Sequence, residues 1–302
     1  MSTTAVTLIS RVIEGISLAD EKLGMRLRTY SEAGDALFHA RAQDFFERYK
    51  TFIEGHGKSF EFGIDCFLRL QRSLEEHRAE FLRTGGYRNS SFEEVNRCVY
   101  SNPEIMQYHM HGLVFAQFLW PEQYRRFEFF ASNLPRYSGI RRYLEIGGGH
   151  ALYVSEAMRA LPDTIFDLVD ISPTSLEMAK GITPKTGIRY HLMDVFDFPD
   201  EPVYDFITMG EVIEHVERPR DLLSKVRGLL AAGGSAYITT PANAPMIDHI
   251  YLFRNVQEIR DILTGCGFRI ERETQAYAVQ IGEQLAQKMK LPLMYAAFVT
   301  AA

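Results

Sequence analysis

The run Arg142-Tyr143-Leu144-Glu145-Ile146-Gly147-Gly148-Gly149-His150-Ala151 decides the fold. An apolar segment, Tyr143 to Ile146, carries an acid and runs directly into three glycines. Ala151-Leu152-Tyr153-Val154-Ser155-Glu156-Ala157-Met158 follows with helical amphipathic spacing. Strand, bare turn, then helix is how a parallel α/β sheet brings its backbone against a nucleotide-like ligand. Two nucleotide signatures are absent. A dinucleotide fingerprint needs a third glycine where Leu152 stands, and no G-x-x-x-x-G-K-[ST] string occurs.

Working outward, Ile165-Phe166-Asp167-Leu168-Val169-Asp170 is a second apolar run that ends on an acid placed to accept from ribose hydroxyls. Ser172-Pro173 opens a helix that Gly181 is expected to close. A third strand, Ile188 to Met193, ends at Asp194, and a fourth, Tyr204 to Met209, runs into Gly210-Glu211-Val212-Ile213-Glu214-His215-Val216. A helix near 219–230, a Gly233-Gly234 turn, a strand over Ser235–Thr240, a helix near 256–264 closed by Gly265, and strands near 268–274 and 293–300 complete the pattern.

The E-x-G-x-G turn resembles motif I of the class I S-adenosylmethionine (SAM)-dependent methyltransferases. The E-V-I-E-H-V string is similar to one in the ubiquinone-biosynthesis methyltransferases and their small-molecule relatives. The resemblance runs from Arg141 to the C-terminus, about half of the chain. It implies an α/β fold with a Rossmann-like, doubly wound, seven-stranded sheet of order 3-2-1-4-5-7-6, closed by a terminal antiparallel hairpin. It also implies SAM as co-substrate, held by Glu145, Gly147, Gly148, Gly149, Asp170, Ile171, Asp194, Val195, Gly210 and Glu211. Asp194 would meet the adenine amino group, and Val195 would cover the ring.

Ahead of this core, residues 1–135 read as an all-helical cap and 136–302 as the catalytic domain. Asp35 to Glu54 and Ser59 to Arg83 carry apolar residues at helical spacing, with Gly85-Gly86 ending the second. Ser101-Asn102-Pro103 caps a helix to Trp120, and Pro121 interrupts it before Glu122 to Leu134. Such a cap serves either as a cover over the carboxyl ends of the strands or as a homodimerisation surface. Its aromatic residues Tyr108, Phe115, Trp120 and Tyr124 are the candidates to face the SAM sulfonium, because aromatic faces suit an enclosed cation. Core packing is the ordinary fate of such residues.

For the chemistry, Glu211 and His215 stand four apart in a helix-favouring run and are expected to share a face, with Glu214 pointing elsewhere. His215 is the candidate general base or acceptor-orienting group, with Glu211 and Tyr108 beside it as catalytic candidates. Tyr108, Trp120, Tyr124, His249 and Tyr251 are the candidate substrate contacts, the last two from the loop after Pro241-Ala242-Asn243-Ala244-Pro245. His109 and His111 diverge on a helix, which argues against a shared metal, though either can line the pocket. The ligand set of magnesium-dependent catechol methyltransferases is not evident, so no metal is expected.

The 302 residues carry a formal net charge of −6 with Lys and Arg dispersed, which disfavours a nucleic-acid partner. Cys66, Cys98 and Cys266 share no short spacing, as in a reducing compartment. Met1-Ser2-Thr3-Thr4 lacks a signal-peptide layout, and no apolar run spans a membrane, so a cytoplasmic location is expected. Three functions fit: methyl transfer to a small metabolite, plausibly in secondary metabolism; attack at the aminocarboxypropyl carbon of SAM with release of methylthioadenosine, including cyclisation to azetidine-2-carboxylate; or SAM binding without catalysis.

Overall fold

A computed structural model describes residues 7–137, 139–183, 187–201, 203–279 and 281–301. The N-terminal tetrapeptide on which the leader expectation rests therefore lies outside the described residues, as does Ser138.

The helical part runs α1 (Leu8–Ala19), α2 (Glu21–Glu32), α3 (Ala36–Gly55), α4 (Phe60–Thr84), the short α5 (Phe92–Val95) continued by a π turn (Asn96–Tyr100), α6 (Pro103–Leu119) and α7 (Pro121–Asn133). Local chemistry fixes their ends. Asp35 caps α3 by accepting the Phe38 N–H at 2.7 Å. Gly85, in the left-handed region, ends α4. Asn102 caps α6 with Pro103 in its first turn, and Pro121 starts α7 where α6 stops. Twelve of the 17 residues of α6 are buried, which makes it the central helix of the cap.

The sheet follows with β1 (Arg142–Ile146), α8 (Leu152–Ala160), β2 (Ile165–Asp170), α9 (Pro173–Ile182), β3 (Ile188–Leu192), β4 (Tyr204–Gly210), a 3-10 turn (Ile213–His215), α10 (Pro219–Leu229), β5 (Leu230–Ala242), α11 (Val256–Gly265), β6 (Phe268–Tyr277), α12 (Glu283–Lys288) and β7 (Leu293–Ala301). The order is β3-β2-β1-β4-β5-β7-β6, with β7 antiparallel to both β5 and β6. This is the order that the resemblance implies. Strand order reverses beside β1, which pairs β2 on one edge and β4 on the other. The turns after β1 and β4 therefore part and leave a crevice.

Side-chain alternation along the strands builds two apolar layers. Tyr143, Phe166, Phe206, Tyr237 and Phe298 join α8, α9 and the cap helices in one cluster. Leu144, Ile146, Ile207 and Ile238 join α10 and α11 in the other. Cap and sheet thus share one continuous core, across the position where the two parts were expected to divide. Gly181 belongs to that seam. It does not close α9, which runs on to Ile182; a Cβ there would strike the ring of Phe52 from α3. The glycine permits a close helix approach rather than a stop.

Candidate active site

The crevice at the carboxyl ends of β1, β2, β3 and β4 opens into a cavity of about 400 Å³, within the range of small-ligand sites. Glu145, Gly147, Gly148, Gly149, Asp170, Ile171, Asp194, Val195, Gly210, Glu211, His215 and His249 all line it.

The glycine turn is held tightly. The Gly147 N–H donates to the Val169 carbonyl at 2.9 Å and the Ala151 N–H to the Gly148 carbonyl at 2.6 Å. Gly147 has φ 68°, and a Cβ on it would collide with Val212. That side of the turn faces the β4 loop, so a larger residue at 147 disturbs packing rather than simply filling the cavity. A Cβ on Gly149 would have the Met110 methyl of α6, 3.6 Å away, as its nearest side-chain neighbour. Asp170 accepts the Gly149 N–H at 3.2 Å and the Ser172 N–H at 2.8 Å, which locks its carboxylate to the turn. Burial raises its pKa to about 6. Asp194 accepts the Phe196 N–H at 2.9 Å through Oδ1 and lines the cavity.

Glu211 adopts φ 55°, a conformation that costs roughly 1–3 kcal/mol and needs its surroundings to impose it. They do. Its N–H bonds both the carbonyl and hydroxyl oxygens of Thr239 at 3.1 Å, its carboxylate accepts the Thr239 hydroxyl at 2.9 Å, and it is ion-paired to Arg126 of α7. The expected shared helical face of Glu211 and His215 does not form. The chain leaves β4 through this left-handed residue, and only the single 3-10 turn Ile213–His215 follows.

Glu214, expected to point away, is fully buried at the centre of the site's acidic and basic groups. Its Oε2 accepts the Thr240 hydroxyl at 2.9 Å, and its carbonyl accepts the N–H groups of Ile250 and Tyr251 at 2.9 Å. These bonds bring the loop after β5 onto the loop after β4. His215 Nδ1 donates to the Asp248 carbonyl at 2.9 Å, and Asp248 Oδ2 lies 3.3 Å from His109 Nε2. Burial works against charge on His215, yet Asp248 and Glu214 beside it raise its pKa above the ordinary value. His249 moves the other way: burial and the neighbouring His215 lower it to about 3. Burial and Glu211 raise the carboxyl of Glu214.

The cap's contribution differs from expectation. Tyr108, Trp120, Tyr124 and Phe115 do not reach the cavity. Tyr108 lies under the Arg69 guanidinium of α4, 4.7 Å from its ring centroid. Trp120 donates to Gln71 at 3.1 Å, Tyr124 packs edge-on to Phe38, and Phe115 stacks on Phe46. The helical period explains this: Met106, His109, Met110, Leu113 and Gln117 form the cavity stripe of α6, and Tyr108 falls on the far side. Tyr251 packs on Phe253 instead of lining the cavity. His109 lines it and His111 does not; His111 pairs through Nδ1 with the Tyr49 hydroxyl at 2.9 Å. The sequence reading missed Phe92, Tyr100, His150, Tyr153 and Arg126. Only Arg126 left a signal, as a cation on the apolar side of α7.

A family described as "Methyltransferase domain" matches residues 121–277, just over half of the chain, and the chain belongs to that family. A malonyl-[acyl-carrier protein] O-methyltransferase of Ilyobacter polytropus is 28% identical over 163 residues, covering 49% of this chain and 60% of that protein. A ubiquinone biosynthesis O-methyltransferase of Xanthomonas oryzae pv. oryzae is 28% identical over 108 residues, covering 34% and 44% respectively. The chain thus spans less than two thirds of these relatives. Among solved structures, the mitomycin 7-O-methyltransferase MmcR superposes with TM-score 0.51 at 14% identity, covering 76% of this chain and 68% of that one. The plantazolicin methyltransferase BpumL, solved with S-adenosylhomocysteine, gives 0.51 at 12% identity, covering 78% and 100%. These likenesses carry the fold. Among the described residues, no helix is long and apolar enough to cross a membrane.

Proposed function

We propose that this chain transfers the methyl group of SAM to a hydroxyl or amine of a small metabolite. One observation carries the reading: a single cleft is lined both by the glycine turn with its carboxylates and by His215, Asp248 and His249. In this reading Asp170 receives the ribose hydroxyls, Asp194 the adenine amino group, and Ile171 and Val195 flank the ring. Gly147 to Gly149 and Gly210 offer bare backbone, and Glu211 marks where the two ends meet. The acceptor's lone pair attacks the methyl carbon, the C–S pair returns to sulfur as a neutral thioether, and the acceptor's proton leaves toward the His215 group. Alignment and exclusion of water supply most of the rate.

The lining also speaks to the acceptor. Glu145, Asp170, Asp194, Glu211, Glu217 and Asp248 face the cavity, whereas Arg218 is the only Lys or Arg among the described lining residues, and its side chain is 81% exposed. With no cation bound, an acceptor that reacts through a carboxylate or phosphate would meet like charge along this lining. A neutral or cationic one would not. Attack at the aminocarboxypropyl carbon suits an aromatic pocket, and Phe92, Tyr100, Tyr153 and Phe196 do line this one, so product analysis has to separate the two chemistries.

The test is product analysis by mass spectrometry. S-adenosylhomocysteine appearing only when a hydroxyl- or amine-bearing acceptor is added supports the proposal. Methylthioadenosine from SAM alone would replace it with the displacement chemistry, and no product with any acceptor leaves a binding protein. His215→Asn should lower kcat by about 10²–10⁴-fold with SAM affinity intact.

A further inference from the structure

At the acceptor end, one ligand atom each from Glu214, His215 and His249 lies within 4.8 Å of the others. Both Nε2 atoms stand 3.9 Å from the same carboxylate oxygen, Oε1 of Glu214. That oxygen is buried and has no hydrogen-bond partner. A separation of 3.9 Å is too long for hydrogen bonds, which need about 2.7–3.2 Å. It is close to the spacing of about 3.4 Å between donors that share one tetrahedral cation at bonds of ~2.0–2.2 Å.

The far sides of two of these groups are anchored. Thr240 donates to Glu214 Oε2 at 2.9 Å, which turns Oε1 inward. His215 Nδ1–H donates to the Asp248 carbonyl at 2.9 Å, which fixes the tautomer and leaves a lone pair on Nε2. Outer hydrogen bonds of this type orient metal ligands. The Asp248 carboxylate, 3.6 Å from His215 Nδ1, adds negative charge just behind the ring. Three protein ligands leave a tetrahedral cation a fourth position, and two of the three, His215 and His249, line the cavity assigned to the acceptor.

We infer that Glu214, His215 and His249 form a two-histidine, one-carboxylate site for a single divalent cation of the zinc, manganese or iron(II) class. Imidazole donors favour these ions over magnesium. The role of the open position rests on the methyl-transfer reading: a hydroxyl bound there loses its proton more readily. His215 would then serve as a ligand in place of the proton acceptor described above, and the hydroxyl proton would pass to water in the cavity. The catechol-type set looked for in the sequence is a different arrangement of ligands and has no bearing on this one.

The full-length chain, dialysed against a chelator, is titrated with Zn²⁺ and Mn²⁺ by calorimetry and with Co²⁺ by visible absorption. One equivalent binds, and Glu214→Gln or His249→Ala weakens it at least about 100-fold. Thr240→Val, which touches no ion, weakens it about 10–100-fold, and Thr240→Ser restores it. SAM affinity without metal stays at the wild-type value in each variant, which certifies the fold. Absence of uptake by the wild-type chain, or uptake undiminished in both ligand variants, overturns the inference. Metal-free protein that still methylates an acceptor at full rate overturns the metal's role while the methyltransferase reading stands. Metal bound at these residues with no methylation of any acceptor does the reverse.

Discussion

The two ends of the cavity are built in opposite ways. The end assigned to the cofactor is made of short consecutive stretches: a strand's last residues, the turn that follows, and the acid between them. Each is positioned by the strand that carries it, and β2 occupies the interval that the sequence pattern assigned, Ile165–Asp170. The acceptor end is assembled from α6, the loop after β4 and the loop after β5, held by the bonds from Ile250 and Tyr251 to Glu214 and from His215 to Asp248. Local geometry makes the first. Tertiary closure makes the second.

The sharpest break in that comparison is the ion pair joining the cap to the β4 turn. Arg126→Met leaves Glu211 without its buried partner and should cost about 3–5 kcal/mol in denaturant unfolding. Adding Glu211→Gln should recover part of that loss; full additivity would show that the two residues do not act as a pair.

At the cofactor end, Asp170→Ala should weaken SAM binding by about 1–3 kcal/mol in calorimetry, and unchanged affinity would remove Asp170 from the site. Its titration gives a second handle. Burial raises its pKa from 3.8 to about 6, so the folded chain holds this proton more tightly than the unfolded one. The stability of the unliganded protein should therefore fall as pH rises from 3.8 to about 6, and SAM affinity should rise over the same interval as the carboxylate forms. Asp170→Asn should flatten both profiles.

The smallest effect belongs to the cap aromatics. Trp120→Phe removes the bond to Gln71 and should cost about 1 kcal/mol of stability, with kcat unchanged. A large loss of kcat would return Trp120 to the cavity.

These contrasts explain what could be read in advance. Strand ends, glycines and caps act over a few residues, so the strands and helices from β1 onward could be placed from the sequence, and the resemblance they carry implied the sheet order and the residues of the cofactor side. The direction of α6 did not. A helix buried on nearly all sides carries apolar residues at every angle, and its periodicity cannot separate Tyr108 from Met110. Glu214 was misjudged for a related reason. A helix was assumed after β4, whereas Glu211 takes a left-handed conformation that returns the chain toward the crevice. His249 was legible as a loop residue, but its approach to Glu214 depends on contacts that form only in the folded chain.

The continuous core between cap and sheet governs how molecules come and go. Helices α6 and α7 cannot swing aside without exposing Phe118, Phe127 and Phe130, each almost entirely buried. The strap from Gly85 to Ser101 is different. It puts Phe92 and Tyr100 on the cavity wall; Val95 and Val99 anchor its second half in the core, while polar links hold the rest: Asn89 to the Ile247 carbonyl, the Ala244 N–H to the Tyr87 hydroxyl, and the Phe92 N–H to Glu217. Residues 85–91 are the part of the strap outside the apolar core, and their amides should exchange with deuterium well before those of α6 and slow down once SAM is inside.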